Sequence, residues 1–270
     1  MDGAPNPAQS VSARELGPFL SRPLAPPAVS VMRALEHPMS ATDALAVADV
    51  DRLLDPSPVA VENGWCTLHD GVGYVAVRTD MPGVTGEMVD WWFDWHPRDR
   101  DRYRVWHPLA HRGNAIDEPP VAGARPHWGA VHHPVEVLGT RTVHARIAFL
   151  PPTRMGMGSD CLQDPRVASI VCGLVYDDRL HMRHSRMVHV FLNDRAGVVL
   201  RSRFWLGSGL RPDGPLGVVG ERLLNHAALR RRIIPRSAPR DLAVHCAEEF
   251  TNLASLLPEL HARFAGAAPG

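Results

Sequence analysis

Between Val131 and Leu206, segment after segment alternates with a period of two, and this stretch decides what the chain can fold into. VHHPVEVLG, RTVHARIAFL, VASIVCGLVYD, LHMRHSRMVHVFL and AGVVLRSRFWLG read as successive strands, with Gly139-Thr140 and Asp194 to Gly197 as hairpin turns. Consecutive hairpins imply antiparallel pairing. From Pro239 to Leu257 the period changes, and Leu242, His245, Cys246, Glu249, Leu253, Leu256 and Leu257 recur at helical spacing behind Pro239. A sheet and one long helix bury their apolar surfaces against each other. The expected fold is α+β: a curved antiparallel sheet gripping a C-terminal helix over roughly residues 86–266, in a helix-grip arrangement that encloses a cavity.

The preceding residues read differently. The first 30, rich in Pro, Ala and Ser, suggest a loose arm with one helical turn around Ala13 to Leu20. Ala44, Leu45, Val47, Val50, Leu53 and Leu54 predict a short amphipathic helix over Ala41 to Leu54, capped by Ser40 or Thr42. Gly64 to Leu68 and Tyr74 to Arg78 flank Asp70-Gly71 and predict a hairpin. Thr85 predicts the cap of a helix through Phe93, closed by Pro97 and pinned to a larger body by Trp91, Trp92, Phe93 and Trp95. The expected division is a small N-terminal arm and helix/hairpin region over 1–84, and the helix-grip domain over 85–270.

Composition excludes whole classes of chemistry. All 29 basic residues in the Lys+Arg total are Arg, so a Schiff-base lysine, a pyridoxal-phosphate anchor and a phosphate-loop lysine are impossible. The 29 acids balance the arginines, so no broad positive field is available for nucleic acid or an anionic membrane. Cys66, Cys161, Cys172 and Cys246 form no Cys-x-x-Cys pair, which argues against a structural zinc ribbon or an iron–sulfur cluster and for a reduced, cytoplasmic chain. No signal-peptide pattern and no run of about 18 apolar residues occurs. Arg230-Arg231-Arg232 reads as an isolated, solvated basic spot. Gly156-x-Gly158 reads as a loop, and Ser208 in GSG is unpersuasive as a nucleophile.

The residue in excess is histidine, 15 in all, a side chain that titrates near neutrality and ligates metals. His245-x-x-x-Glu249 places two donors one above the other on the terminal helix. A solvated i,i+4 pair is the common alternative, but Leu242, Cys246, Phe250 and Leu253 flank this one and turn part of it inward, where a bound cation would offset the cost of a buried carboxylate. A second i,i+4 pair, His107 and His111, lies in YRVWHPLAHRGN, where Pro108 interrupts any helix and favours one ligand rather than two. Glu136 points opposite to Val135 and Val137, into the cavity if those valines pack outward and into solvent if they do not. His189 shares a face with Met187 and Phe191, the usual setting of a satisfied core histidine. Imidazoles plus carboxylates make a mixed donor set suited to zinc, with manganese or iron as alternatives.

WWFDWHPRDRDRYRVWHPLAHRGN, VHVFLNDRAGVVLRSRFWLG and HCAEEFTNLASLLPEL together resemble the family of zinc-dependent carbon–carbon hydrolases that includes the 2,4-diacetylphloroglucinol and phloretin hydrolases, over about residues 85–262. The resemblance implies a helix-grip domain like that of START proteins and the birch pollen allergen, a small N-terminal part, and a homodimer. It implies a Zn2+ site at His111, Glu136, His245 and Glu249, which selects His111 over His107. Tyr103 and Asn114 match positions that hydrogen-bond a phenolic substrate, and His189 matches a cavity histidine that handles protons. Where the diacetylphloroglucinol hydrolases carry a second substrate-contacting tyrosine in the last strand, this chain has Phe204. The activity implied is hydrolysis of the bond between an acyl group and a polyhydroxylated ring, as in 2,4-diacetylphloroglucinol plus water giving monoacetylphloroglucinol and acetate. It is an activity on carbon–carbon bonds in ketonic substances, with a small-molecule acylated phenol as partner. The competing expectations are a non-catalytic carrier of apolar phenols and a hydrolase of a related aryl ketone.

Overall fold

The computed structural model describes residues 13–55, 57–117, 125, 127–215 and 217–266. The first twelve residues of the expected arm lie outside the described residues. Two helices open the chain, α1 (Ala13–Leu20) and α2 (Val29–Ala34), followed by 3-10 turns at Ala41–Asp43 and Val47–Leu54. Then come β1 (Gly64–Thr67), β2 (Gly73–Pro82), α3 (Gly86–Trp95), α4 (Arg100–Trp106) and β3 (His111–Gly113). The strands β4 (Val131–His132), β5 (Val135–Leu138), β6 (Arg141–Leu150), β7 (Val167–Asp177), β8 (Met182–Asp194) and β9 (Gly197–Pro212) follow. Three helices close it: α5 (Gly217–Leu224), α6 (Ala227–Ile233) and α7 (Ala238–Phe264).

Among the described residues nine strands join one antiparallel sheet in the order β1-β2-β9-β8-β7-β6-β5-β3, with β4 also on β6. The sheet curls around α7, as the change of period predicts. Ala243, Cys246, Ala247, Phe250, Leu253, Leu257 and Leu260 fall three or four residues apart on the buried face of that helix. They pack into one core with Val75, Val77, Phe191, Leu200 and Leu206 from the concave side of the sheet. A second core, around Tyr74, Val188, Val190 and Trp205, lies on the convex side. The expected boundary at residue 84 falls between β2 and α3, and the sheet runs across it: β2 pairs with β9 along its whole length.

Several local expectations are corrected. The arm is anchored from residue 13 onward: Leu16 and Phe19 of α1 are fully buried in the main core. Asn252 of α7 holds the chain beyond α1, accepting from Ala25 N–H at 3.2 Å while donating to the Trp106 carbonyl at the end of α4 at 2.9 Å. Ala41 to Leu54 is not an α-helix but two 3-10 turns. The Leu45 carbonyl, which an α-helix would use internally, is taken by Trp205 at 2.8 Å, and Arg201 holds Leu53 O at 3.1 Å at the end of the segment. The terminal helix runs past Pro258 to Phe264, although an interior proline costs about 3 kcal/mol. Beyond it Leu260 is fully buried, and Phe264 meets Trp95 and Phe19 at ring-centroid distances of 5.4 and 6.2 Å.

β9 continues beyond Leu206 because Gly207-Ser208-Gly209 is a bulge, not a break. Arg183 pairs with Arg211 but Ser185 with Leu206, leaving four residues of β9 against one of β8. Gly207 and Gly209 have φ of +83° and +72°, which only glycine adopts readily, and a Cβ on Gly207 would meet Arg230 at 2.9 Å. Arg230 itself is buried and bonds Gly207 O, Asp70 O and Asn225 Oδ1, so the arginine run is not uniformly solvated. All four cysteines are free and buried. Among the described residues no helix is long and apolar enough to cross a membrane.

Candidate metal and substrate site

Two connections in the fold create the site. Thr85 caps α3 through Met88 N–H, and Asp99 caps α4 through the N–H groups of Asp101 and Arg102. The chain leaving α4 at Trp106 turns over Pro108 into the short strand β3, where His111 pairs with Glu136 of β5. Across the cavity, α7 presents His245 and Glu249 one turn apart. Donors from three distant segments of the chain thereby come together. His111 Nε2 lies 3.4 Å from His245 Nε2 and 3.5 Å from Glu249 Oε2, and His245 Nε2 lies 3.6 Å from the same Glu249 oxygen. Glu136 reaches the two imidazoles at 3.9 and 3.7 Å.

Those separations fit a metal ion. Donors at 2.0–2.2 Å around a tetrahedral ion stand about 3.3–3.6 Å apart, and the His111, His245 and Glu249 donors lie within 4.8 Å of one another. Protonation points the same way. His111 Nδ1 donates to the carbonyl of Tyr103 at 3.1 Å, so its Nε2 carries a lone pair aimed at His245 Nε2. Burial holds the His111 and His245 imidazoles down at about 4, hence neutral, and raises Glu249 well above the ordinary carboxylate range. In place of a proton, a cation at this point would accept the nitrogen lone pairs and let Glu249 ionise. The set of two nitrogens and two carboxylates admits zinc, manganese or iron and does not identify which.

His107 sits beside this group without belonging to it. Its Nδ1 faces Ala110 N–H at 3.1 Å, its Nε2 donates to Glu248 at 3.3 Å, and its ring stacks on His245 at 5.2 Å. With both nitrogens engaged it has no lone pair to offer.

Glu136, His245 and Glu249 line a cavity of about 310 Å³ that is largely apolar and also lined by Tyr103, Asn114, His189 and Phe204, with His111 buried behind them. The Tyr103 ring stacks on His111 at 4.2 Å, and its hydroxyl donates to Glu136. Burial, and then the neighbouring carboxylate, raise that phenol well above its usual value, so it stays protonated and keeps its oxygen lone pairs for another donor. Both polar atoms of the Asn114 amide are buried without a partner among the described residues. His189 Nδ1 is 2.8 Å from Ser202 Oγ, and burial lowers its pKa to about 3, so the imidazole is neutral. Phe204 meets its ring edge-on at 5.3 Å.

Three cavity histidines were not singled out from the sequence: His96, His132 and His184. One had a signal. His132, Pro134, Glu136 and Leu138 alternate through VHHPVEVL and all line the cavity, so the reasoning that placed Glu136 places His132 as well. His184 comes to the wall through the β9 bulge, and His96 through a 3-10 turn after α3; neither has a periodic signature.

With this geometry in view, comparison with known proteins is informative. A family model described as the DAPG hydrolase PhiG domain matches residues 45–262. A 2,4-diacetylphloroglucinol hydrolase from Pseudomonas protegens is 30% identical over 253 residues, covering 88% of this chain and 80% of that protein. A phloretin hydrolase from Eubacterium ramulus is 31% identical over 212 residues, covering 74% and 71%. Among solved structures, Ara h 8.0201 aligns at 10% identity over 70% of this chain and 99% of that one, with a TM-score of 0.40. A START superfamily protein from Mycobacterium smegmatis aligns at 12% identity over 60% and 96%, with a TM-score of 0.34. Likenesses that remote carry no weight for function.

Proposed function

This chain belongs to the DAPG hydrolase family, and from that premise we propose that it is a zinc-dependent hydrolase of the carbon–carbon bond joining an acyl group to a polyhydroxylated aromatic ring. The reaction consumes one water: the acyl carbon gains its oxygen and leaves as a carboxylic acid, and the ring carbon gains a proton. The observation that supports this reading is the gathering of His111, His245 and Glu249, with Glu136 beside them, at the edge of a largely apolar cavity that Tyr103, Asn114 and His189 also line.

Those four side chains would hold the zinc, which would supply Lewis acidity toward a carbonyl oxygen and a source of hydroxide near neutral pH. The remaining work falls to the chain itself. Tyr103 fixes the Glu136 carboxylate and accepts a phenolic O–H with its remaining lone pair. The unpartnered Asn114 amide takes a second ring oxygen, so the ring is oriented before reaction. His189 is neutral at rest, which makes it a proton acceptor first. Its Nε2, the nitrogen not held by Ser202, takes a proton from water or a phenolic oxygen and returns it to the ring carbon. Phe93, Phe149 and Val175 keep bulk water out of the cavity.

The test is incubation of purified, zinc-loaded protein with 2,4-diacetylphloroglucinol, monoacetylphloroglucinol and phloretin, with chromatographic detection of acid and deacylated ring. One acid per ring released is the expected result. Phenol binding with no metal bound and no acid released would replace this reading with that of a carrier.

A further inference from the structure

One part of the cavity carries hydrogen-bonding capacity that the residues discussed above leave unused. His132 is 96% buried, counted from its 4% exposure, and its ring stands edge-on to Phe149 at 4.6 Å and to His96 at 6.0 Å. Its ring nitrogens have no hydrogen-bond partner among the described residues, and burial keeps the imidazole neutral, with one donor and one acceptor. It lines the same cavity as Tyr103 and Asn114. The backbone explains why it is close to them: His132 bridges Ile116, and His133 N–H donates to Ala115 O, so β4 lies against the segment that follows Asn114. From the ring of His111, aromatic contacts run through Tyr103 to His96 at 5.8 Å and on to His132. The His132 nitrogens are not sealed away like the polar atoms of the Asn114 amide but open on the cavity, where a ligand could complete them.

We propose that His132 is a specificity-determining residue that hydrogen-bonds a third ring oxygen of the substrate, one that Tyr103 and Asn114 do not serve. This rests on the reading of the cavity as a site for acylated phenols, and it narrows the substrate to rings bearing three oxygens. On β9, the wall position occupied by Phe204 has no hydroxyl to offer. Hydroxyl recognition is therefore assigned to β4. The neutral ring serves either polarity, accepting a phenolic O–H on one nitrogen or donating N–H to a phenolic oxygen.

The experiment measures calorimetric binding of two bare rings, 1,3,5-trihydroxybenzene and 1,3-dihydroxybenzene, to the zinc-loaded protein and to His132→Phe and His132→Gln. The phenylalanine keeps the packing against Phe149 and His96; the glutamine keeps a donor and an acceptor. Wild type should prefer the trihydroxy ring by about tenfold, the worth of one well-made buried hydrogen bond. His132→Phe should bind the two rings within about twofold of each other, and His132→Gln should recover part of the preference. Retention of the full preference in His132→Phe, or absence of any preference in wild type, overturns the assignment to His132 and leaves the hydrolase reading standing. If neither ring binds wild type and no acylphenol is cleaved, the cavity reading itself fails and this inference falls with it.

Discussion

Arg201 and Arg203 on the convex face of the sheet are buried as deeply as His111 and His245 on its concave side, yet the two groups differ in where their partners come from. On the outside the protein supplies nearly everything. Arg201 bonds the carbonyls of Leu53, Asp55 and Ser57 and reaches Glu62 at 2.8 Å; Arg203 bonds Ser202 O and Val61 O and shares Glu62 at 3.3 Å, leaving only the two Nε atoms unpartnered. That cluster fastens residues 53–62 to β9. On the inside His111, His245 and Glu249 hold donor atoms within 4.8 Å of one another, an arrangement that an ion would complete. A buried polar group that the fold completes is structural, whereas one that needs an outside partner marks a site.

The largest test of this contrast is His245→Ala. Loss of one ligand should abolish stoichiometric zinc by elemental analysis and lower turnover by more than about 10³-fold, since a metal contributes several kcal/mol and each 1.36 kcal/mol is tenfold. Its metal-free unfolding midpoint should move less than that of the next variant. Unchanged activity, or collapse of the fold, would erase the distinction between the two clusters.

Arg203→Met should do the reverse. Breaking the shared ion pair leaves Glu62 half-served and Val61 O without its donor, at a cost of about 3 kcal/mol in denaturant unfolding. Zinc content and turnover of the folded protein should stay near wild type. A variant as stable as wild type would show the cluster to be ornamental.

The smallest effect separates two adjacent histidines. His133 follows His132 but points to the other face, where Asp178 and Asp117 take its two nitrogens at 2.9 and 2.8 Å. Burial lowers its pKa, but the two carboxylates outweigh burial and the net direction is upward. A raised folded pKa means that the stability gained is fully present below the unfolded value of about 6.5 and is lost as pH rises through the folded value. His133→Gln should therefore lose stability relative to wild type, by no more than about 1 kcal/mol, below the unfolded value and converge with it as pH rises through the folded value. A difference independent of pH would mean that His133 is not charged in the folded state.

Much of the site was legible because strand alternation and helical spacing are local rules. His245 and Glu249 followed from i,i+4 spacing among apolar neighbours, and Glu136 followed from alternation once the valines are known to face away. His132 obeys the same alternation and shares the face of Glu136. His184 could not be read at all: a bulge of four residues against one shifts the register, and no periodic rule predicts it. The 3-10 turns over Ala41–Asp43 and Val47–Leu54 were misjudged for a related reason. The apolar pattern does bury Leu45, Val50 and Leu53, but Trp205 of β9 captures the Leu45 carbonyl that an α-helix would have kept.

The sequence by itself determined the run of antiparallel hairpins from β6 to β9, the terminal helix and the lack of lysine chemistry, because periodicity and composition act over a few residues at a time; that β2 pairs with β9 was decided by the tertiary structure. Only the tertiary structure decided that His111 Nε2 lies 3.4 Å from His245 Nε2 and that His107 is already engaged. Those facts depend on how far the sheet curls and where α4 ends against α7, and such distances arise from packing between segments more than 100 residues apart, a separation at which no local pattern carries information.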